Sequence, residues 1–256
     1  MLIVSIILVP YHLDEHLPDL DIPLPSGDDV TTVTATLPEA DTWTRLGRLY
    51  EPVAEAVADV VRNDKVPVVV SGDCTASLGT VTGLQRAAVD PSVVWFDAHG
   101  DVQTVETTAS GYLGGMPLRI LVGYRPELIS ERLGLRVVPE DRVMLVDARD
   151  LDPPEADYLA TSGIRRCGVE EVSADALPPG PLLLHMDLDV IDPGELAGLR
   201  YPAAGGPTAS SVLRAARRVL DTGRVVAMDI GCTWHPGRED LGDTRSRVLS
   251  ALISGG

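Results

Sequence analysis

Two short acidic clusters, each closing an apolar run, carry the chemistry of this sequence. Asp97-Ala98-His99-Gly100-Asp101 follows Val93–Phe96, and Asp187-Leu188-Asp189-Val190-Ile191-Asp192-Pro193 follows Leu182–Met186. In an extended segment the side chains at i, i+2 and i+4 leave one face. Asp97, His99 and Asp101 are therefore expected to converge on one point, and Asp187 and Asp189 on another. Carboxylates gathered at two strand ends repel one another unless a cation lies between them. Oxygen donors with one imidazole suit a hard or borderline divalent ion such as Mn²⁺ better than an all-thiolate zinc site. The donors also exceed what one tetrahedral zinc uses, which points to two metals sharing carboxylates.

Positioning these groups requires strands that end together. Apolar, β-rich runs recur at Leu2–Val9, Val66–Val70, Val93–Phe96, Arg142–Val146, Pro181–Met186 and Arg224–Ile230. Helical periodicity occupies Thr42–Arg62, Thr75–Ala88, Pro153–Thr161, Thr208–Leu220 and Thr244–Ile253. Continuously apolar strands alternating with amphipathic helices predict an α/β fold whose mostly parallel sheet is covered on both faces. Irregular segments are expected at Pro10–Thr36, Val102–Gly123 and Pro193–Pro207, with a short strand within Ile164–Val169. Gly72-Asp73-Cys74, Asp97–Asp101, Asp147–Asp152, Asp187–Asp192 and Asp229–Cys232 each follow an apolar run. Ligands of open α/β sheets bind at the carboxyl ends of strands, so these motifs are expected to share one crevice.

The 256 residues fit a single domain spanning 1–256. A formal charge of −17 argues against a nucleic-acid partner, because phosphate binding needs a basic face. Leu2–Val9 is far too short to span a bilayer and reads as a buried strand, so no membrane association is expected. Cys74, Cys167 and Cys232 are sparse and lack CxxC spacing, as expected of a reduced, cytoplasmic protein.

On these residues the sequence resembles the arginase/agmatinase (ureohydrolase) family over almost its whole length. That family shows Gly-Asp-His, Asp-Ala-His-x-Asp and Asp-x-Asp-x-x-Asp-Pro in this order. The second and third are matched here without a gap, and the first reads Gly72-Asp73-Cys74. The resemblance implies a three-layer α/β/α arginase-like fold and two Mn²⁺ per chain. It places Cys74, Asp97, Asp101 and Asp187 on one ion and Asp97, His99, Asp187 and Asp189 on the other, with Asp97 and Asp187 as bridges. Asp192 would orient its loop. Thr107-Thr108-Ala109-Ser110-Gly111 and Arg149-Asp150-Leu151-Asp152-Pro153-Pro154-Glu155 match segments of arginases that read a free amino acid. By that resemblance Gln103, Thr108 and Ser110 bind the α-carboxylate, and Asp152 and Glu155 the α-ammonium. The chemistry is sensible: neutral donors face a carboxylate and anions an ammonium.

Two departures bear on substrate. Gly114 replaces the arginase proton-shuttle histidine, and Cys232 stands about where arginases place a glutamate that pairs with the guanidinium. A guanidinium buried without a carboxylate partner is costly, whereas an N-hydroxyguanidine is far less basic and enters largely neutral. The sequence is accordingly most similar to the Nω-hydroxy-L-arginine amidinohydrolases of specialised metabolism. The expected reaction yields hydroxyurea and L-ornithine, with Asp101 as the catalytic group passing a proton to the departing nitrogen. The alternatives are hydrolysis of arginine or another guanidino amino acid, a catalytically inactive metal-binding or partner-binding protein, and, last, a zinc deacetylase of similar fold. Cys232 reads as core filler, and Cys167 is given no role. His12 and His16 read as surface residues on a loop that could border the crevice, and His185 as a hydrogen-bonded packing residue. His235 is a candidate replacement for the missing shuttle. Tyr112 and Trp234 are either pocket walls or core anchors.

Overall fold

The computed structural model describes residues 3–25, 29–238 and 243–254, so Leu2 of the expected first strand lies outside them. The amino-terminal third comprises β1 (Val4–Val9), β2 (Tyr11–His12), β3 (Glu15–His16), β4 (Val30–Thr32), α1 (Thr42–Arg62), β5 (Val66–Ser71) and α2 (Ser77–Arg86). The middle holds β6 (Ser92–Asp97), α3 (Pro117–Leu121), α4 (Ser130–Leu133), β7 (Val143–Asp147), α5 (Pro153–Thr161) and β8 (Arg165–Cys167). β9 (Leu182–Asp187), α6 (Ala209–Leu220), β10 (Val225–Gly231) and α7 (Thr244–Ser254) complete it. Eight strands form one parallel sheet in the order β4-β1-β5-β10-β9-β6-β7-β8, while β2 and β3 make a small antiparallel hairpin.

Alternation along each strand divides the interior into two cores. Ile6, Val68, Val94 and Leu184 face one side, with Val212, Val219, Val248 and Leu252 of α6 and α7 packed against them. Ile7, Val69, Val93 and Leu183 face the other, under α1, α2 and the short helices between β6 and β7. Both faces of every central strand are thus apolar, as a parallel sheet requires. The result is a three-layer α/β/α fold. The chain works outward from β6 to β7 and β8, then returns to insert β9 and β10 between β6 and β5. Loops after β5 and β6 therefore flank those after β9 and β10 at the middle of the carboxyl edge, the usual place for a ligand crevice.

α1 shows how local sequence sets an element. Asp41 caps it by accepting from the Thr44 amide at 3.0 Å, and Leu46, Leu49, Tyr50, Val53 and Val57 form its buried stripe. Its partner α2 comes close because Gly83 lacks a side chain: a Cβ there would lie 2.5 Å from the Ala54 carbonyl oxygen and 2.6 Å from Val57 Cβ.

The expected elements appear within a few residues of their predicted bounds, with three differences. The segment expected to be irregular after Pro10 contains β2, β3 and β4, and that after Val102 contains α3; α4 follows at Ser130–Leu133. Each is too short to show a period of its own. The helix expected from Thr75 begins at Ser77, after a 3₁₀ turn over Cys74–Ala76.

Gly83→Leu should force α1 and α2 apart. A loss of about 1–3 kcal/mol is expected from overpacking. Thermal unfolding should register it as a Tm lower by several degrees, at roughly 2–4 °C per kcal/mol for a chain of this size. An unchanged Tm would mean the helices are not in close contact.

Candidate metal centre

At the carboxyl edge the register brings the acidic motifs level. Asp97 pairs with Asp147 across β6 and β7, Phe96 with Met186, and Gly231 with both Ser71 and Asp187. The strands stop there, because three aspartates turn the chain in the same way. Asp73 Oδ1 accepts from the Thr75 amide at 2.8 Å, Asp97 Oδ1 from His99 at 2.7 Å and Asp187 Oδ1 from Asp189 at 2.9 Å. This corrects the expected route to convergence. His99, Asp101 and Asp189 are not further residues on strand faces: Leu188–Val190 is a 3₁₀ turn, and Asp101 is left-handed at φ 53°. Turns, with a residue type that tolerates the left-handed region, do what pleating was expected to do.

The donors fall into two groups that share one carboxylate. Single ligand atoms of Cys74, Asp97 and Asp101 lie within 4.8 Å of one another, and so do those of Asp97, His99 and Asp189. Asp187 adjoins the first group, with Cys74 Sγ 2.9 Å from its Oδ2, and the Thr233 hydroxyl donates to its other oxygen at 2.8 Å. Gly231 permits this approach, since a Cβ there would lie 3.0 Å from Cys74 Sγ. Trp95 Nε1 donates to Asp97 at 3.0 Å from below.

The electrostatics are those of a cluster built around positive charge. Burial, then the charges of Asp97 and Asp187, push the Asp101 carboxyl well up, and its Oδ2 is buried without a hydrogen-bond partner. Burial, then Asp189 and Asp97, push Asp187 well up, while Asp189 rises to about 6 through burial and then Asp97. Burial and then Asp187, Asp101 and Asp97 likewise raise the Cys74 thiol. His99 answers part of this charge. Burial works against its proton, but Asp189 at 3.1 Å and Asp97 at 3.4 Å override burial and lift it to about 12. Burial would raise Asp97 too, yet His99 holds it below the usual carboxylate value. An orphaned carboxylate oxygen and a hard-oxygen, one-imidazole, one-thiol donor set fit divalent cations.

Ten of the eleven residues nominated from sequence line one cavity of about 140 Å³: Cys74, His99, Asp101, Gln103, Thr108, Ser110, Asp152, Glu155, Asp187 and Asp189. Asp97 lies just beneath, buried. Gln103 Nε2 donates to Asp152 Oδ2 at 2.8 Å, and Thr107 donates to Gln103 Oε1 at 2.8 Å. Glu155 accepts from the amides of Val102 and Asp152 at 3.2 and 3.1 Å, tying the loop after β6 to the start of α5. Gly100 makes room for it, since a Cβ there would meet Glu155 Oε1 at 2.8 Å. Thr108 and Ser110 accept from the amides of Gly111 and Tyr112 at 3.1 and 3.2 Å. Arg149 fixes the roof: its guanidinium bonds Asp147 and the carbonyls of Asp189, Val190 and Ala203.

The other nominated residues separate. Asp192 orients its loop by accepting from Gly194 and Gly206 at 2.8 and 3.0 Å. Cys232 and Trp234 are fully buried in the core. His235 is exposed on a different groove beside Arg200 and Arg238, so it is not in place of the missing shuttle. His185 is buried as expected but packs by stacking on Trp95 at 3.5 Å, with neither ring nitrogen hydrogen-bonded among the described residues. His16 is exposed. His12, read by default as a surface residue on a loop that could border the crevice, is instead buried beside the cavity because β2 folds back against the Gly72 turn. Its position directly after the first apolar strand was the available signal. Thr233 and Tyr201 also line the cavity unforeseen.

Residues 15–234 match the model of the arginase family. The arginase of Bacillus subtilis is 28% identical over 235 residues, covering 85% of this chain and 79% of that protein. The N(omega)-hydroxy-L-arginine amidinohydrolase of Streptomyces lavendulae is 31% identical over 236 residues, covering 91% of this chain and 81% of that one. Among solved structures, Entamoeba histolytica arginase in complex with L-ornithine superposes with a TM-score of 0.83 at 20% identity, covering 99% of both chains.

Two measurements probe the centre. Asp97→Ala removes the donor common to both groups and should abolish binding of both ions, whereas Cys74→Ala should cost one; metal analysis after Mn²⁺ loading and gel filtration distinguishes them. The second is pH dependence. In metal-free protein the raised Asp189 pKa favours the folded state below 3.8 and that contribution is lost as pH rises through about 6. Metal needs the ionised carboxylate, so the Tm increment from Mn²⁺ should grow across that window. An increment that is flat with pH would contradict it.

Proposed function

Since this chain belongs to the arginase family and is a hydrolase of amidino C–N bonds, we propose that it cleaves Nω-hydroxy-L-arginine to hydroxyurea and L-ornithine with two Mn²⁺. The observation that carries this reading is the commitment of every carboxylate in the cavity. Asp101, Asp187 and Asp189 belong with the metal donors, Asp152 accepts from Gln103, and Glu155 accepts two amides. At the end of β10 the cavity meets Thr233, a neutral hydroxyl already bonded to Asp187, and Cys232 points into the core. No carboxylate among the described lining residues stands ready for a guanidinium. A neutral hydroxyguanidine needs none. The 31% identity to an amidinohydrolase named for that compound is compatible with this choice, as the 28% and 33% identities to two arginases are with the alternative.

In this reading Cys74, Asp97, Asp101 and Asp187 would hold one ion and Asp97, His99, Asp187 and Asp189 the other. A bound pair of divalent ions lowers the pKa of water and supplies hydroxide at neutral pH. Gln103, Thr108 and Ser110 meet the α-carboxylate, and Asp152 and Glu155 the α-ammonium, fixing the length of chain that reaches the acidic floor. Asp101, whose Oδ2 has no hydrogen-bond partner among the described residues, would take the proton of the attacking water and return it to the ornithine nitrogen as the C–N bond breaks. The trio of cysteines, none in a disulfide, suits a cytoplasmic setting.

Arginine, by contrast, must be bound as a cation without a counter-charge, and agmatine lacks the carboxylate that Thr108 and Ser110 would read. For Mn²⁺-loaded protein, kcat/KM for Nω-hydroxyarginine should exceed that for arginine by on the order of 10² or more. Agmatine should be turned over most slowly. Equal values for the first two would favour an arginase, and no product from any would favour a catalytically silent member of the family.

A further inference from the structure

The wall of the cavity near Cys74 is formed by a tyrosine that the metal donors do not use. The ring of Tyr112 lies over Gly114 so closely that a Cβ on residue 114 would coincide with Tyr112 Cζ, Cε1 and Oη. Only glycine at 114 leaves the ring that place. His12 stacks on it, with centroids 5.8 Å apart and planes within 16°, and Tyr201 packs at 4.6 Å. The hydroxyl is therefore held in position from two sides.

Its hydrogen bonding is directional. His12 Nδ1 lies 3.0 Å from the Gly72 carbonyl oxygen, which can only accept, so in the neutral ring Nδ1 carries the proton and Nε2 is an acceptor. Tyr112 Oη lies 3.4 Å from that Nε2 and directs its own proton there. The oxygen lone pairs are left for the cavity, which Tyr112 lines together with Gly114 and Cys74. Burial, and then the charge of Asp73, keeps the phenol protonated, and the ring shares the cavity wall with Cys74 and Asp101.

We propose that Tyr112 is a specificity-determining residue for the reacting end of the substrate: its hydroxyl oxygen accepts a hydrogen bond from the N–OH of a hydroxyguanidine, and His12 is the positioning residue that aims it. This rests on the function proposed above and names the group that would read the substrate's extra oxygen. A phenol oxygen satisfies a neutral O–H donor but supplies no charge to a guanidinium. A site built to bond a substrate hydroxyl discriminates strongly against the analogue lacking it.

Tyr112→Phe keeps the ring over Gly114 and removes the oxygen. In Mn²⁺-loaded protein the ratio of kcat/KM for Nω-hydroxyarginine to that for arginine should fall tenfold or more, with most of the change in KM for the hydroxylated substrate. His12→Phe keeps a stacking ring but removes the acceptor, and it should lower the ratio in the same direction. Because His12 acts through Tyr112, the double variant should be no worse than Tyr112→Phe alone. Metal content and Tm establish that each variant is folded. Equal losses on both substrates, an unchanged ratio, or additive losses in the double variant would overturn the proposal. Wild-type protein with no preference for the hydroxylated substrate overturns the proposed function and this assignment together, whereas a wild-type preference whose size Tyr112→Phe leaves unchanged overturns this assignment alone.

Discussion

Four buried acidic side chains confined to one sheet edge set the terms for the rest of the molecule. Asp97, Asp101, Asp187 and Asp189 are all buried, and three of them are driven toward protonation by burial and by one another. Such a cluster opposes folding unless positive charge is brought to it. His99 supplies some, wedged between Asp97 and Asp189. The remainder is a natural place for divalent cations. The parallel sheet, with cores on both faces, is what can hold these groups against their repulsion.

The central strands and long helices were legible because they are long and strongly patterned. Val66–Ser71, Ser92–Asp97 and Leu182–Asp187 are apolar on both faces, and Thr42–Arg62 shows a full helical stripe. The edge strand Val30–Thr32 and hairpin Tyr11–His16 were not, since two or three residues carry no period and their pairing is decided by distant chain. The donors were legible by type and spacing, but not the way they converge. Asp101 reaches the cluster through a left-handed backbone, and Asp189 through a 3₁₀ turn, which alternation along a strand cannot foretell.

The least legible part of the site is its uncharged wall. Gly114 reads in sequence as a loss, an absent histidine. In three dimensions it is the space into which Tyr112 fits, and His12, 100 residues earlier in the chain, meets that tyrosine only because the small hairpin folds over the Gly72 turn. Contacts between residues so far apart leave no local trace. A deleted side chain and an aromatic two residues before it are informative only once the ring's direction is known.

Arg149 has a wider consequence. It holds the carbonyls of Asp189, Val190 and Ala203, while Asp192 donates its amide to Pro207 and accepts from Gly206. The chain from Asp192 to Pro207 is thus closed at its base, and it is also held along its length by the Leu199–Trp234 bridge, by the Arg200 amide donating to Thr233 and by Leu196 and Leu199 in the core, with Tyr201 beside the cavity. A segment braced at base and middle in this way holds its aromatic tip on a support shared with the end of β10. Rim and floor are one frame: Arg200 bonds Thr233, and Thr233 bonds Asp187, so a change in the rim's length is felt at the acidic floor.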